Sequence, residues 1–321
     1  MSMLRGPQRA TLFLTTHCNL ECSYCYVKRG AELPLTFWKE CLRQLCQLKC
    51  MHVTLTGGEP LIRKDFCEIL ESVTANRMRF SVTSNGTLVT EQFLQEFLPF
   101  VNRCDYFQVS VDGPEKIHNA VRGAGSFQKL SRSTAMLLNA GVPVQAKITL
   151  GTHNADQFED TVEAVFDQLQ IPLCSLNYVQ NFPGHFTDKC LDLKKFGTLM
   201  RKFEALLKRY PGRFLAEGPY PVWKQWQKNE PCMSRNTEVC SAGRDSFNIT
   251  ADGSVFRCIS LNEKPLGNLQ QKSLAEILEN SGTGAVMPCE ECISCTLSCA
   301  GRCSCTGSLC LKEYLDAGGV L

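Results

Sequence analysis

Residues 10–26 read Ala-Thr-Leu-Phe-Leu-Thr-Thr-His-Cys-Asn-Leu-Glu-Cys-Ser-Tyr-Cys-Tyr. The first six form a short β-rich run, and the polar stretch after it carries Cys18, Cys22 and Cys25 at the spacing Cys-x3-Cys-x2-Cys. Iron–sulfur clusters normally take four cysteine ligands. Three thiolates leave one iron open, and open positions are where metal sites do chemistry. The triplet is therefore a candidate for a [4Fe–4S] cluster that holds a small molecule and passes it an electron. With 20 cysteines among 321 residues, however, such spacing arises by chance too easily to stand alone.

The surrounding pattern supplies the context. From residue 10 to about 210, β-rich runs alternate with longer helical patterns. Strands are expected at Ala10–Thr15, His52–Leu55, Arg79–Thr83, Asp105–Val111, Val144–Leu150 and Cys174–Val179. Helices are expected at Thr36–Leu48, Asp65–Thr74, Glu91–Leu98, Ser126–Ala140 and Ala155–Leu169. Phe196, Leu199, Met200, Phe203, Leu206 and Leu207 mark a further helix by their i, i+3, i+4, i+7 spacing. Such β-then-α units imply parallel strands joined by right-handed crossovers. Six units are too few for a closed eight-stranded barrel. The fold class is α/β, an open, partial (β/α)6 barrel with its site at the C-terminal ends of the strands.

The alternation stops near Tyr210-Pro211-Gly212, which divides the chain into a barrel (1–212) and a smaller C-terminal domain (213–321). Pro219, Pro221 and Pro231 mark a connection, with a short helix expected at Val222–Gln227. Ser246–Thr250, the turn Asp252-Gly253 and Val255–Ile259 read as a β-hairpin, and Leu274–Leu278 as a short helix. The cysteine-dense tail beyond has little apolar sequence and needs metal crosslinks in place of a core.

Hydrophobic content of 44% and charged content of 21% describe an ordinary globular chain. A net charge of +2 gives no electrostatic case for nucleic acid or a membrane surface. No export signal or long apolar stretch is visible, so the expected compartment is the cytoplasm. There structural disulfides are disfavoured, and 20 cysteines call for metal, redox work or burial. Cys41, Cys46, Cys50, Cys67, Cys104, Cys174 and Cys190 are scattered and read as small buried hydrophobes. The remaining thirteen cluster, three near the start and ten between Cys232 and Cys310.

Polar motifs stand at the expected strand ends. The second strand ends in Gly57-Gly58-Glu59-Pro60, whose glycines permit close approach to a ligand and whose Glu59 offers an acceptor to an ammonium group. The third ends in Thr83-Ser84-Asn85-Gly86-Thr87, suited to sugar hydroxyls. The fourth ends in Ser110-Val111-Asp112-Gly113, followed by His118 and Arg122. Together they suit an amino-acid nucleoside.

Residues 10–210 resemble a radical S-adenosylmethionine (SAM) enzyme. The resemblance implies that Cys18, Cys22 and Cys25 hold a [4Fe–4S] cluster whose open iron is chelated by SAM. Gly57, Gly58 and Glu59 become the clamp on the SAM amino group, and Ser84 and Asn85 face the ribose. Arg122 faces the carboxylate, Tyr24 the cofactor edge, and Ser110 and Asp112 line the cofactor site. The family reaction cleaves SAM to methionine and a 5′-deoxyadenosyl radical that abstracts a substrate hydrogen.

The tail resembles the SPASM domain, which carries two auxiliary [4Fe–4S] clusters. Cys240, Gly253 and Cys258 fit the opening of that pattern. Cys289, Cys292, Cys299 and Cys303 follow it except for a six-residue middle spacer, and Cys310 closes it. The family connectivity implies one cluster on Cys240, Cys258 and Cys303 with Cys232 as fourth ligand, and another on Cys289, Cys292, Cys299 and Cys310. Cys295 and Cys305 exceed that set, as packed thiols or hydrogen-atom donors. Ile259 stands where anaerobic sulfatase maturases carry an aspartate base, which counts against that role.

The expected function is a radical SAM/SPASM oxidoreductase acting on a ribosomally made precursor peptide and forming a side-chain crosslink. A flavodoxin- or ferredoxin-type reductant is implied. The barrel begins by residue 10, so leader recognition is expected from a separate protein or from the barrel itself. Tyr178, Gln180 and His185 are expected to look into the barrel mouth and contact substrate. The alternatives are a radical epimerase or dehydrogenase acting on a peptide or on a small molecule such as an aminoglycoside, and a zinc-bound interaction module.

Overall fold

The computed structural model describes residues 7–27, 29–30, 32–179, 188–215, 242–243, 245–259 and 264–280. Six parallel strands, β1 (Arg9–Phe13), β2 (His52–Thr56), β3 (Arg79–Ser84), β4 (Tyr106–Val111), β5 (Val144–Leu150) and β6 (Leu173–Tyr178), lie side by side in chain order. The connections carry α1 (Leu35–Gln47), α2 (Phe66–Ala75), α3 (Glu91–Phe97), α4 (Glu115–Arg122), α5 (Ser126–Asn139) and α6 (Phe158–Glu163), and α7 (Leu193–Arg209) follows β6.

Strictly sequential parallel strands with right-handed crossovers place every connecting helix on one face of the sheet. The residues alternate to match. Leu12, Val53, Leu55, Phe80, Val82, Phe107, Val109, Ala146 and Ile148 are fully buried in the apolar core. The opposite, helix-free face is polar: Thr11, Thr54, Ser81, Gln108, Ser110, Lys147, Ser175 and Asn177 occupy the intervening positions. Ser81, Gln108 and Ser175 are nonetheless buried. Gln108 reaches across β5 to Ser175, donating from Nε2 to Oγ at 3.2 Å. A sheet helical on one side and closed over its own polar side chains on the other is the partial barrel expected from the sequence.

One expected helix is only partly formed. Ala155–Leu169 gives only α6, which begins late because Asn154 folds back and its Oδ1 accepts from Gly151 N at 3.0 Å. After α6 the chain widens into a π-turn over Ala164–Gln168, which buries Ala164, Val165 and Phe166 together. The helix expected at Val222–Gln227 lies outside the described residues. α7 follows its apolar periodicity, with Phe196, Leu199, Met200, Phe203 and Leu206 buried, and Asp192 caps it by accepting from Lys195 N.

The expected hairpin is β7 (Ser246–Ile249) and β8 (Ser254–Phe256), extended by β9 (Gly267–Asn268). β7 pairs in parallel with β1, Arg9 opposite Ser246 and Leu12 opposite Ile249, so the hairpin prolongs the barrel sheet past its first strand. The following helix, α8 (Leu274–Asn280), packs beside α1, where Leu274 N donates to Gln44 Oε1 at 2.7 Å. No helix among the described residues is long and apolar enough to cross a membrane.

Candidate active site

The loop from β1 to α1 carries Cys18, Cys22 and Cys25, and one buried side chain ties its two ends together. Arg63 is 5% exposed. Its Nη1 donates at 3.0 Å to the carbonyl of Leu14, where the loop begins, and at 3.0 Å to that of Leu33, where it ends. Asp65 holds the guanidinium in a bidentate pair at 2.8 and 2.7 Å, and Glu32 Oε1 lies 3.0 Å from Nη1. Glu32 also accepts from the Thr15 hydroxyl. The sequence reading missed Arg63. Its position three residues after Pro60, followed two residues later by an acid, was the available signal.

The Gly57-Gly58-Glu59 turn lies directly against this loop. Gly58 N donates to Thr15 O at 2.7 Å and Glu59 N to His17 O at 2.8 Å. A Cβ on Gly57 would sit 2.4 Å from Thr15 O, and one on Gly58 2.2 Å from His17 O. The glycines were expected to admit a ligand, but the neighbour that requires them is the chain's own backbone. They fix the segment that leads into Cys18.

Glu59 is fully buried. Its carboxylate accepts from Ser84 Oγ at 2.8 Å, Asn85 N at 2.7 Å and Leu61 N at 3.2 Å. Burial pushes the carboxyl up to about 7, against the pull of those three donors. Ser84, expected at the ribose, is committed to Glu59 and also accepts from Gly86 N at 2.9 Å. Asn85 reaches the cysteine loop: its Nδ2 donates to Asn19 Oδ1 at 2.9 Å and approaches Cys18 Sγ at 3.9 Å. Its Oδ1 is held by Thr87.

On the other side of the loop, Tyr24, Asp112 and Arg122 form a closed buried network. Tyr24 OH donates to Asp112 Oδ1 at 2.7 Å, Arg122 Nε donates to Asp112 Oδ2, and Arg122 Nη2 donates to Tyr24 OH at 2.7 Å. Burial works against the Asp112 charge, but the Arg122 guanidinium holds its carboxyl below the usual range. Asn154, also missed from sequence, joins the ends of β4 and β5 by donating to Asp112 O and Thr149 O, both at 3.0 Å. His118 is fully buried, its Nδ1 accepting from Asp112 N at 3.3 Å, which is a structural role. His153 stacks on Tyr24 with ring centroids 5.1 Å apart. Ser110 lies half-buried on the helix-free face beside Lys147.

Residues 12–165 match the Radical SAM superfamily, and residues 240–299 match the SPASM family, an iron–sulfur cluster-binding domain. The chain carries a radical SAM domain and a SPASM domain. Over 96% of its length it is 28% identical to the sporulation killing factor maturation protein SkfB of Bacillus subtilis, covering 71% of that protein. It is 30% identical over 49% of its length to the mycofactocin maturase MftC of Mycolicibacterium smegmatis, and spans 41% of that relative. The fold is that of Streptococcus suis SuiB, with a TM-score of 0.77 at 16% identity over 98% of this chain and 75% of SuiB.

A radical SAM domain binds a [4Fe–4S] cluster and SAM, and the thiols of the β1–α1 loop fit such a cluster. Cys18, Cys22 and Cys25 are free, half-buried to exposed, and close enough for their charges to act on one another. Soft thiolates suit a four-iron cluster. Burial pushes the Cys22 thiol up to about 11, partly offset by Arg122, and raises Cys18 as well. Loading iron must therefore displace protons from these sulfurs.

Two expectations are corrected. Tyr178 does not face the mouth: strand alternation turns it to the helical side, 7% exposed, against Phe196 and with its hydroxyl 4.0 Å from Met200 Sδ. Of the scattered cysteines, Cys41, Cys50 and Cys174 are buried, Cys67 and Cys190 are half-buried, and Cys46 and Cys104 are exposed, because the last two fall on the outer face of α1 and in the turn before β4. Cys258 is half-buried just past β8. Cys232, Cys240, Cys289, Cys292, Cys295, Cys299, Cys303, Cys305 and Cys310 lie outside the described residues, as do Gln180 and His185.

Proposed function

We propose that the chain is a radical SAM peptide maturase in which Cys18, Cys22 and Cys25 hold the cluster that cleaves SAM. The observation that carries this reading is the convergence of three strand ends on one cysteine loop: Gly58 and Glu59 bond its backbone, Asn85 approaches Cys18, and Asp112 with Arg122 grips Tyr24. When bound, the cluster supplies an electron to SAM, which yields methionine and a 5′-deoxyadenosyl radical able to take hydrogen from a substrate.

The chain's own residues set the stage for that chemistry. Arg63 and the Gly-Gly turn hold the loop so that the thiolates need not reorganise when metal enters. Glu59 provides a buried acceptor behind the turn for the SAM amino group, with Ser84 fixing its orientation. Arg122 supplies positive potential beside Cys22 and faces the SAM carboxylate. Tyr24 and Asp112 keep that guanidinium in one place. Asn85 and Ser110 line the path from the loop into the polar face of the barrel.

In the C-terminal domain, Cys232, Cys240, Cys258 and Cys303 hold one auxiliary cluster and Cys289, Cys292, Cys299 and Cys310 the other, taking the oxidised substrate's electron. The substrate is a precursor peptide, as the names of SkfB and MftC and the crystal structure of SuiB with its precursor peptide SuiA suggest by similarity. The product is a side-chain crosslink. A flavodoxin- or ferredoxin-type protein supplies electrons.

Anaerobic incubation with SAM and dithionite tests the first step: the chain should release 5′-deoxyadenosine, and Cys22→Ala should not. In deuterated water with a candidate precursor peptide, crosslinking gives a product two hydrogens lighter. Deuterium at an inverted carbon without net oxidation would show epimerisation instead.

A further inference from the structure

The helix-free face of the barrel holds a cation that has no partner among the described residues. Lys147 is at the middle of β5, opposite Ser110 on β4 and Ser175 on β6. Its neighbours Ala146 and Ile148 point into the apolar core and are fully buried, so Lys147 projects to the opposite side, where it is half-buried. Among the described residues it makes no ion pair and no side-chain hydrogen bond.

The rest of that face explains why. The positions of β1–β6 that alternate away from the core are Thr, Ser, Gln, Asn, aromatic, Leu, His, Arg or Lys, and not one is Asp or Glu. The arginines among them, Arg9 and Arg79, stand at the N-terminal strand ends, and Arg79 faces Asp105. Lys147 is deeper, two residues short of Thr149, the last position of β5 on this face, and about 7 Å below it at the usual strand rise. The other cation of the site, Arg122, is already paired with Asp112. A half-buried ammonium with hydroxyl and amide neighbours and no counter-charge among the described residues is a preorganised site for an anion.

We infer that Lys147 anchors a carboxylate of the substrate that enters the barrel past the cysteine loop, either an Asp or Glu side chain or a free peptide C-terminus. The inference rests on the maturase reading for its substrate class. Ser110 flanks the ammonium and supplies a hydroxyl to the second carboxylate oxygen, while the buried Ser175 hydroxyl stays committed to Gln108 and to the Ala146 carbonyl. The anchor fixes the peptide's depth, and thereby which carbon is presented to the rim.

Ligand-observed saturation-transfer NMR on the cluster-reconstituted chain with SAM tests it with three probes. N-acetylglutamic acid α-amide carries a side-chain carboxylate, N-acetylglutamine carries only a terminal one, and N-acetylglutamine amide carries none. At least one carboxylate probe should give a several-fold stronger signal than the amide, and which one does so names the source. Lys147→Met should reduce it to the level of the amide, and Lys147→Arg should keep most of it. Equal signals from all three probes, or a preference that survives Lys147→Met, overturns the inference. It also falls if Lys147→Met weakens SAM binding as much as probe binding, because the lysine then serves SAM. A wild-type chain that prefers a carboxylate through Lys147 yet releases no 5′-deoxyadenosine leaves the inference standing and rejects the radical reading.

Discussion

The α-carbon of Gly58 lies so close to His17 that a Cβ built on it would be 2.2 Å from the His17 carbonyl oxygen. His17 precedes Cys18, so this contact joins the turn after β2 to the first of the three thiols. Gly58→Ala must push the two backbones apart, and overpacking of this kind costs about 1–3 kcal/mol. The expected outcome is a chain that folds with a lowered melting temperature and retains less iron after anaerobic reconstitution. Calorimetry and iron quantification on the same preparations check it, and full iron retention would show that the loop is fixed by other contacts.

Arg63 gives a sharper case. Its guanidinium serves two carbonyls and two carboxylates at once. Removing one partner of a buried ion pair costs roughly 3–5 kcal/mol. Arg63→Ala should therefore destabilise the chain by that order and expose residues 14–33 to protease before the rest of the barrel. Arg63→Lys should fail to rescue, because a single ammonium cannot match the planar fork. Limited proteolysis with mass mapping reads both.

Much of this was legible from residues alone, and the losses have physical causes. The strand order followed from alternation and short connections, and β7–β8 from the Asp252-Gly253 turn. The pairing of β7 with β1 was not legible, because nothing in Ser246–Ile249 says which sheet edge it meets. Motif spacing located Glu59, Ser84, Asn85, Asp112 and Arg122 but not their mutual bonds: a side chain's type does not disclose that Ser84 turns toward Glu59 or that Tyr24 closes on Arg122. Arg63 and Asn154 were missed for the same reason, since each acts on backbone carbonyls that no pattern marks.

Asp112 and Arg122 are buried partners, Asp112 completely. Asp112→Asn keeps the shape but leaves the guanidinium without its counter-charge, at a cost of about 3–5 kcal/mol for an uncompensated buried ion. The expected result is lower thermal stability together with weaker SAM binding, as Tyr24 and Arg122 lose their fixed positions. Isothermal titration of the reconstituted chain with SAM checks the second effect.

His118 sets a pH dependence. Burial, with a smaller contribution from Arg122 and against the pull of Asp112, lowers its imidazole from an ordinary 6.5 to about 4. The folded state therefore binds this proton less readily than the unfolded chain, so its stabilising contribution is full above about 6.5 and is lost as pH falls from there through about 4. The total is on the order of 3 kcal/mol at 1.36 kcal/mol per unit. Denaturant unfolding at pH 7, 6, 5 and 4 should show a shallower decline in His118→Gln than in the wild type. Parallel curves would show that the imidazole contributes nothing to acid sensitivity.

The central claim is that Cys18, Cys22 and Cys25 together hold a four-iron cluster that SAM engages. The direct measurement is electron paramagnetic resonance of the reconstituted, reduced chain with and without SAM, beside a variant with all three cysteines changed to alanine. The wild type should carry roughly four more irons per chain than the variant, with a reduced-cluster signal that changes when SAM is added, and the variant should lack that SAM-responsive signal. Equal iron in the two proteins, with the SAM-dependent change preserved in the variant, would contradict the account.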